Sequence, residues 1–287
     1  INGTNIESLN EEFGLLSSQM ISLYYDELNN VLFVGTLDRG LYILFLNQTF
    51  SYQSQIFNNK NKELVSDEII DIKSENNGNI WFLKNQSLFQ YKNELANQVF
   101  SAHSFKTLIK NNPKWKKKIA NSKINIDLVY NDLNNFQLYK MQIVNDDIFI
   151  SSDHGIFKYN ITNSELEHRF VTGKIFYVNK ENELFMHHPY SYLSKHKDIF
   201  DDDLIYTYKN KDNGIPRDIT NITPFNDALW YSSNSMGLFK QLDSSFVFYK
   251  NIINESNINH LISTDSLIYF STQSGKVYAV SEVGDSL

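Results

Sequence analysis

Apolar residues along this chain fall into short runs separated by polar turns, and the runs return in phase. Val31-Leu32-Phe33-Val34-Gly35-Thr36 leads through a turn to Arg39-Gly40-Leu41-Tyr42. The pattern comes back as Ile80-Trp81-Phe82-Leu83 with Ser87-Leu88-Phe89, and as Ile148-Phe149-Ile150-Ser151 with Gly155-Ile156-Phe157. It returns again as Leu229-Trp230-Tyr231-Ser232 with Gly237-Leu238-Phe239, and as Ile268-Tyr269-Phe270-Ser271 with Gly275-Lys276-Val277-Tyr278. Runs of this length bounded by Asn, Asp, Ser and Gly predict strands. In the first unit Met20–Tyr25 is a strand. Asp26–Asn30 is a turn in which Asn and Asp tolerate left-handed geometry, and Val31–Thr36 and Leu41–Leu46 are the next two strands. Thr49–Gln53 supplies an outer fourth.

Short strands recurring at roughly 40-residue intervals predict a propeller rather than a sandwich. The expected fold is all-β, a seven-bladed β-propeller of four-stranded antiparallel blades. The blades fall at about 17–54, 65–100, 102–136, 137–170, 171–209, 215–250 and 256–280, the last completed by the N-terminal segment 1–10. The interval from Ser87 to Gly155 is too long for one unit. It is therefore read as holding a degenerate third blade, with a strand at Ile124–Tyr130 and a basic excursion from Lys110 to Lys118 that forms a surface loop or a short helix. Pairing the two chain ends in one sheet removes an open strand edge.

Composition narrows the function classes. The chain of 287 residues has no Cys, which excludes disulfides, thiol nucleophiles and Cys-based metal sites. A net charge of -7 disfavours general nucleic-acid binding. No apolar stretch is long enough to predict a membrane helix.

The repeated residues read as structural. Trp81 and Trp230 occupy the same place in their units and are expected to pack between neighbouring blades. Gly40, Gly155, Gly237 and Gly275 follow tight turns. No Gly-rich loop leads into a helix, so none of these cradles a phosphate.

These units resemble the two-component regulator propeller repeat. Asn77-Gly78-Asn79-Ile80-Trp81-Phe82 is similar to its first half, and Val34-Gly35-Thr36 with Arg39-Gly40-Leu41-Tyr42 to its second. Phe13–Ile21 and Asn213-Gly214-Ile215-Pro216 resemble its inter-blade connection. Asn often stands where the family has Gly or Asp, and Phe or Tyr replaces Trp. The resemblance implies an extracytoplasmic, periplasmic sensor domain of a bacterial membrane-bound regulator, non-catalytic in itself. The partners it implies are a small oligosaccharide or other small ligand, a connector and a membrane-anchored kinase, with a homodimer as one arrangement. No cofactor, metal or nucleic-acid partner is expected.

In a propeller the turns between second and third strands converge on one face. The expected ligand-binding residues there are Asp38, Arg39, Asp153, His154 and Arg217, the arginines being suited to bidentate contact with a carboxylate or sulfate. His187 and His188 are adjacent on a strand and so face opposite ways. Neither they with His196 and Asp198, nor the run Asp201–Asp203, match a metal site. Two alternatives remain: a propeller-type polysaccharide lyase or hydrolase using inward-facing Asp71 or Asp218, and a protein-interaction scaffold.

Overall fold

In the computed structural model the described residues are 20–26, 29–46, 52–57, 68–75, 77–84, 86–93, 95–121, 133–171, 175–188, 192–200, 204–209, 215, 218–242, 245–249, 258–263, 268–272 and 277–280. They form antiparallel sheets of three or four strands, each built in simple chain order, with few helices. The chain divides into two compact units, Ile1–Phe170 and Val171–Leu287.

The first unit holds three sheets. Sheet 1 comprises β1 (Met20–Asp26), β2 (Val31–Thr36), β3 (Leu41–Leu46) and β4 (Tyr52–Phe57). Sheet 2 comprises β5 (Ile69–Ser74), β6 (Ile80–Lys84), β7 (Ser87–Lys92) and β8 (Leu95–Phe100). Two helices follow, α1 (Ala102–Asn111) and α2 (Pro113–Asn121). Sheet 3 comprises β9 (Leu138–Val144), β10 (Asp147–Ser152), β11 (Gly155–Asn160) and β12 (Leu166–Arg169). Strand β6 is buried at every position, and alternation explains how. Trp81 and Leu83 pack with Met141, Ile148, Ile150 and Tyr159 of sheet 3. Ile80 and Phe82 point the other way, against Phe33 and Ile43 of sheet 1. Strand β6 is therefore covered on both faces, which is why it reads as a nearly continuous apolar run.

The second unit repeats the plan. Sheet 4 comprises β13 (Ile175–Val178), β14 (Leu184–His188), β15 (Tyr192–His196) and β16 (Leu204–Lys209). Sheet 5 comprises β17 (Ile219–Phe225), β18 (Ala228–Ser233), β19 (Gly237–Leu242) and β20 (Ser245–Phe248). Sheet 6 comprises β21 (Ile258–Ser263), β22 (Ile268–Thr272) and β23 (Val277–Val280). Trp230 packs with Ile258, Leu261 and Phe270 of sheet 6. Its neighbour Tyr231 packs with Leu193 of sheet 4.

Among the described residues, the first hairpins of sheets 1, 3, 4 and 5 turn through a left-handed Asn and that of sheet 2 through Gly78 at φ 84°. Asn30, Asn145, Asn182 and Asn226 have φ of 53°, 53°, 65° and 47°. Asn is the non-glycine residue best suited to that region.

The segment 102–136 departs from the sequence expectation of a four-stranded third blade. Residues 102–121 are α1 and α2 instead. Phe105 and Ile109 are buried one helical turn apart with Leu108 beside them, a helical rather than an alternating period. Asn112 ends α1 and starts α2: its amide donates to the Leu108 carbonyl and its side-chain oxygen accepts from the Lys114 amide at 2.9 Å. Pro113 takes the first helical position, where its missing N–H costs nothing. The expected strand at 124–130, the segment 1–10 and the connections at 13–19 and 213–214 lie outside the described residues.

Candidate functional site

The first strands of successive sheets lie side by side within each unit: β1 beside β5 and β5 beside β9 in the first, β13 beside β17 and β17 beside β21 in the second. Five of them share one irregularity. The register skips a residue between Met20 and Ser22, Ile69 and Asp71, Leu138 and Lys140, Ile219 and Asn221, and Ile258 and His260. Such a bulge bends a strand and re-aims the side chain that follows it. The residue that follows is Ser22, Asp71, Lys140, Asn221 or His260, polar in every case.

In the first unit these residues tie the first strands together without backbone pairing. The Ser22 hydroxyl donates to the Ile69 carbonyl at 3.4 Å, and the Ser74 hydroxyl donates to the Tyr24 hydroxyl. The Met141 amide donates to Asp71 Oδ2 at 2.9 Å and the Ile72 amide to Asp71 Oδ1 at 2.9 Å. Lys73 Nζ lies 3.2 Å from Asp71 Oδ1. Burial pushes the Lys140 ammonium below the usual lysine range. The Asp71 charge opposes that shift and the Lys73 charge adds to it. The side chains of Ser22, Tyr24, Asp71, Lys73, Ser74, Lys140 and Gln142 are all half-buried. The result is a half-buried polar row carrying one carboxylate and two ammonium groups, tied across adjacent first strands.

The second unit has its own ties. The Thr220 hydroxyl donates to the Ile258 carbonyl at 3.0 Å, and Thr223 and Ser263 share a hydrogen bond of 3.0 Å. Asp218 accepts from the Ser233 and Ser235 hydroxyls at 2.7 and 2.8 Å.

The candidate residues read from sequence sit at the turns after the second strands. Arg39 Nε lies 3.6 Å from Asp38 Oδ2, both side chains nearly half exposed. The Arg39 amide donates to the Thr36 hydroxyl, and Gly40 follows at φ 85°. A side chain at Gly40 would be strained there. Asp153 accepts from the Gln137 amide at 3.0 Å and from the Tyr139 hydroxyl, so its carboxylate closes the turn onto the start of β9. His154 is buried, with its ring 5.0 Å from the Trp115 ring of α2. Asp153 and His154 thus share a turn and diverge. Gly155 and Gly237 have φ of 129° and 76°. Arg217 and Gly275 lie outside the described residues, as does Asp201–Asp203. Trp81 and Trp230 are fully buried, and Trp81 Nε1 donates to Glu75 Oε1 at 2.6 Å.

The four histidines named from sequence, His154, His187, His188 and His196, are buried, and half-buried His168 joins them. His187 pairs with Ile175 and Leu193 across its strand, and its pKa is lowered to about 4 by burial first and the neighbouring His188 second. His188 Nε2 and His196 Nε2 both meet the Ser194 hydroxyl, at 2.9 and 3.0 Å. His168, whose Nε2 meets the His154 carbonyl at 2.9 Å, is lowered to about 4, chiefly by burial. Among the described residues no three His, Asp or Glu side chains converge as metal ligands.

Sequence reading passed over the polar row, yet a signal for it is present: apolar, any residue, polar, apolar. It reads Met20-Ile21-Ser22-Leu23, Ile69-Ile70-Asp71-Ile72, Leu138-Tyr139-Lys140-Met141, Ile219-Thr220-Asn221-Ile222 and Ile258-Asn259-His260-Leu261.

Neither a protein-family model nor a curated protein matches the chain. Solved structures match it in fold. The extracellular domain of BT3049, assigned as a hybrid two-component system of B. thetaiotaomicron, gives a TM-score of 0.63 at 13% identity, covering 93% of this chain and 34% of that one. PorZ, a surface component of the type-IX secretion system of Porphyromonas gingivalis, gives 0.59 at 11% identity, covering 92% of this chain and 33% of that one. A catalytically inactive virginiamycin B lyase from Staphylococcus aureus, with quinupristin, gives 0.53 at 10% identity over 93% and 97% of the two chains. The chain therefore spans about a third of the length of the first two. At these identities the likeness is one of fold. Among the described residues no helix is long and apolar enough to cross a membrane.

Proposed function

We propose that the chain is a propeller-type, extracytoplasmic ligand-binding domain of a bacterial signalling regulator, non-catalytic in itself, and that its ligand is a short oligosaccharide. The observation that carries the reading is the half-buried polar row of Asp71, Lys73 and Lys140 on adjacent first strands. Polar groups held by side-chain ties are preorganised for hydroxyl-rich ligands. The fold likeness to an extracellular domain of a two-component system supports it. A connector and a membrane-anchored kinase then belong to the longer protein, and signalling chemistry lies with them.

The fold likeness to a lyase favours a second reading, an enzyme. General acid–base work needs a carboxyl group able to exchange its proton with substrate. The carboxylates of Asp71 and Asp218 instead accept from backbone amides and a lysine, or from two serine hydroxyls. Calorimetric titration against a panel of neutral and acidic oligosaccharides, with chromatography of each afterwards, separates the readings. Binding with the sugar recovered intact is expected; a cleaved sugar, or no binding across the panel, overturns the proposal.

A further inference from the structure

The polar row on the first strands of the first unit is unequally charged. Among the described residues it holds the ammonium groups of Lys73 and Lys140 and the carboxylate of Asp71, in a chain whose formal net charge is -7. Asp71 already accepts from the Ile72 amide on Oδ1 and the Met141 amide on Oδ2, each at 2.9 Å, and has Lys73 Nζ at 3.2 Å. The carboxylates at the ends of these strands have local partners. Asp26 accepts from the Asn29 amide and side chain, Glu75 from Trp81 Nε1 and the Asn77 side chain, and Asp153 from the Gln137 amide and the Tyr139 hydroxyl. The charges that act on Lys140 are Asp71, which favours its ammonium form, and Lys73, which opposes it; burial opposes it most. The row opens to solvent at Lys73, whose side chain is 39% exposed against 14% for Asp71.

We infer that the ligand of this row is an acidic oligosaccharide, and that its anionic group, a carboxylate or a sulfate, lies against Lys140 and Lys73. The inference rests on the oligosaccharide reading above and adds the charge of the ligand. One anionic group brings two ammonium groups and one carboxylate into balance. A desolvated ammonium gains more from an ion than from a hydroxyl, because hydrogen bonds between charged partners are the stronger ones and a low local dielectric magnifies them. A neutral sugar covers the row without balancing it, and burying an excess charge is costly. The other side chains of the row, Ser22, Tyr24, Ser74 and Gln142, are uncharged, so discrimination by charge falls to the two lysines. Lysine presents a point charge rather than a planar fork, so it accepts carboxylate and sulfate alike.

The test is calorimetric titration with matched pairs that differ only in charge. Tetragalacturonate is compared with its methyl ester, and sulfated neocarratetraose with its desulfated form, beside neutral gluco- and xylo-oligosaccharides. In at least one pair the charged member is expected to bind about tenfold or more tighter than its neutral partner, a difference of about 1.4 kcal/mol, and the pair that shows it identifies the group as carboxylate or sulfate. Lys140→Met is expected to bring that ratio close to one by weakening the charged member and leaving the neutral one nearly unchanged, a split that a general loss of structure does not produce. Should Lys140→Met fail to fold, Lys73→Met at the more exposed end of the row carries the test, lowering the same ratio about threefold or more. Equal affinity within both pairs, a neutral sugar as the tightest ligand, or a ratio unchanged in the lysine variants would overturn the inference and leave the oligosaccharide reading standing. Absence of binding to every sugar would overturn both.

Discussion

Gly35 shows how closely two sheets approach at a single residue. A Cβ there would collide with the Ser22 hydroxyl and come within 2.7 Å of Ile69 Cγ2. Because Ile69 begins the next first strand, it has little room to give. Gly35→Ala is expected to destabilise the fold by about 1–3 kcal/mol, the usual cost of overpacking, measured as a lower urea midpoint with an unchanged slope. His168 and His187 set the pH response. Their folded pKa values of about 4 lie below the ordinary 6.5. The unfolded chain thus binds protons that the folded chain refuses between those values. The stabilisation is complete above pH 6.5, is lost as pH falls towards 4, and levels off below. Each histidine is worth on the order of 3 kcal/mol across that window. Urea midpoints measured from neutral to acid pH should fall accordingly, and His187→Asn should flatten the slope; a stability independent of pH would contradict the assignment. Neither effect is visible in sequence, because burial of a histidine depends on which sheet covers it.

At the scale of elements, the short apolar runs revealed the second strands and their tryptophans well, since a strand covered on both faces is apolar at nearly every position. The same logic read residues 102–136 as a degenerate blade and allowed a short helix only around Lys110–Lys118, where α1 and α2 together occupy 102–121. Between two recognisable units a degenerate strand repeat was the economical assumption, while the Phe105–Ile109 spacing and the Asn112-Pro113 junction pointed to helices. The bulges were missed because a skipped residue changes register without changing composition. Two substitutions probe these elements. Trp81→Ala removes a ring that meets Tyr159 at 5.6 Å and is expected to cost about 3–5 kcal/mol, seen in chemical denaturation. Asn112→Ala removes the cap of α2 and the tie to His168, and should cost about 0.5–2 kcal/mol with a matching loss of helical circular dichroism.

For the molecule as a whole, we propose recognition on the first strands, whereas the sequence pointed to the turn and connection residues Asp38, Arg39, Asp153, His154 and Arg217. Of those turn residues, Asp153 holds the start of β9 and His154 lies beside Trp115, while Asp38 and Arg39 stand nearly half exposed. Lys140 is the residue on which the account depends most. Its ammonium is desolvated beside Asp71 and Lys73, and Met matches its long unbranched stem. The decisive measurement is calorimetric titration of the parent chain and Lys140→Met with the oligosaccharide that binds most tightly in the panel. The account predicts at least a tenfold loss of affinity with the melting temperature held or raised. Equal affinity in the two proteins would remove the polar row from recognition and contradict it.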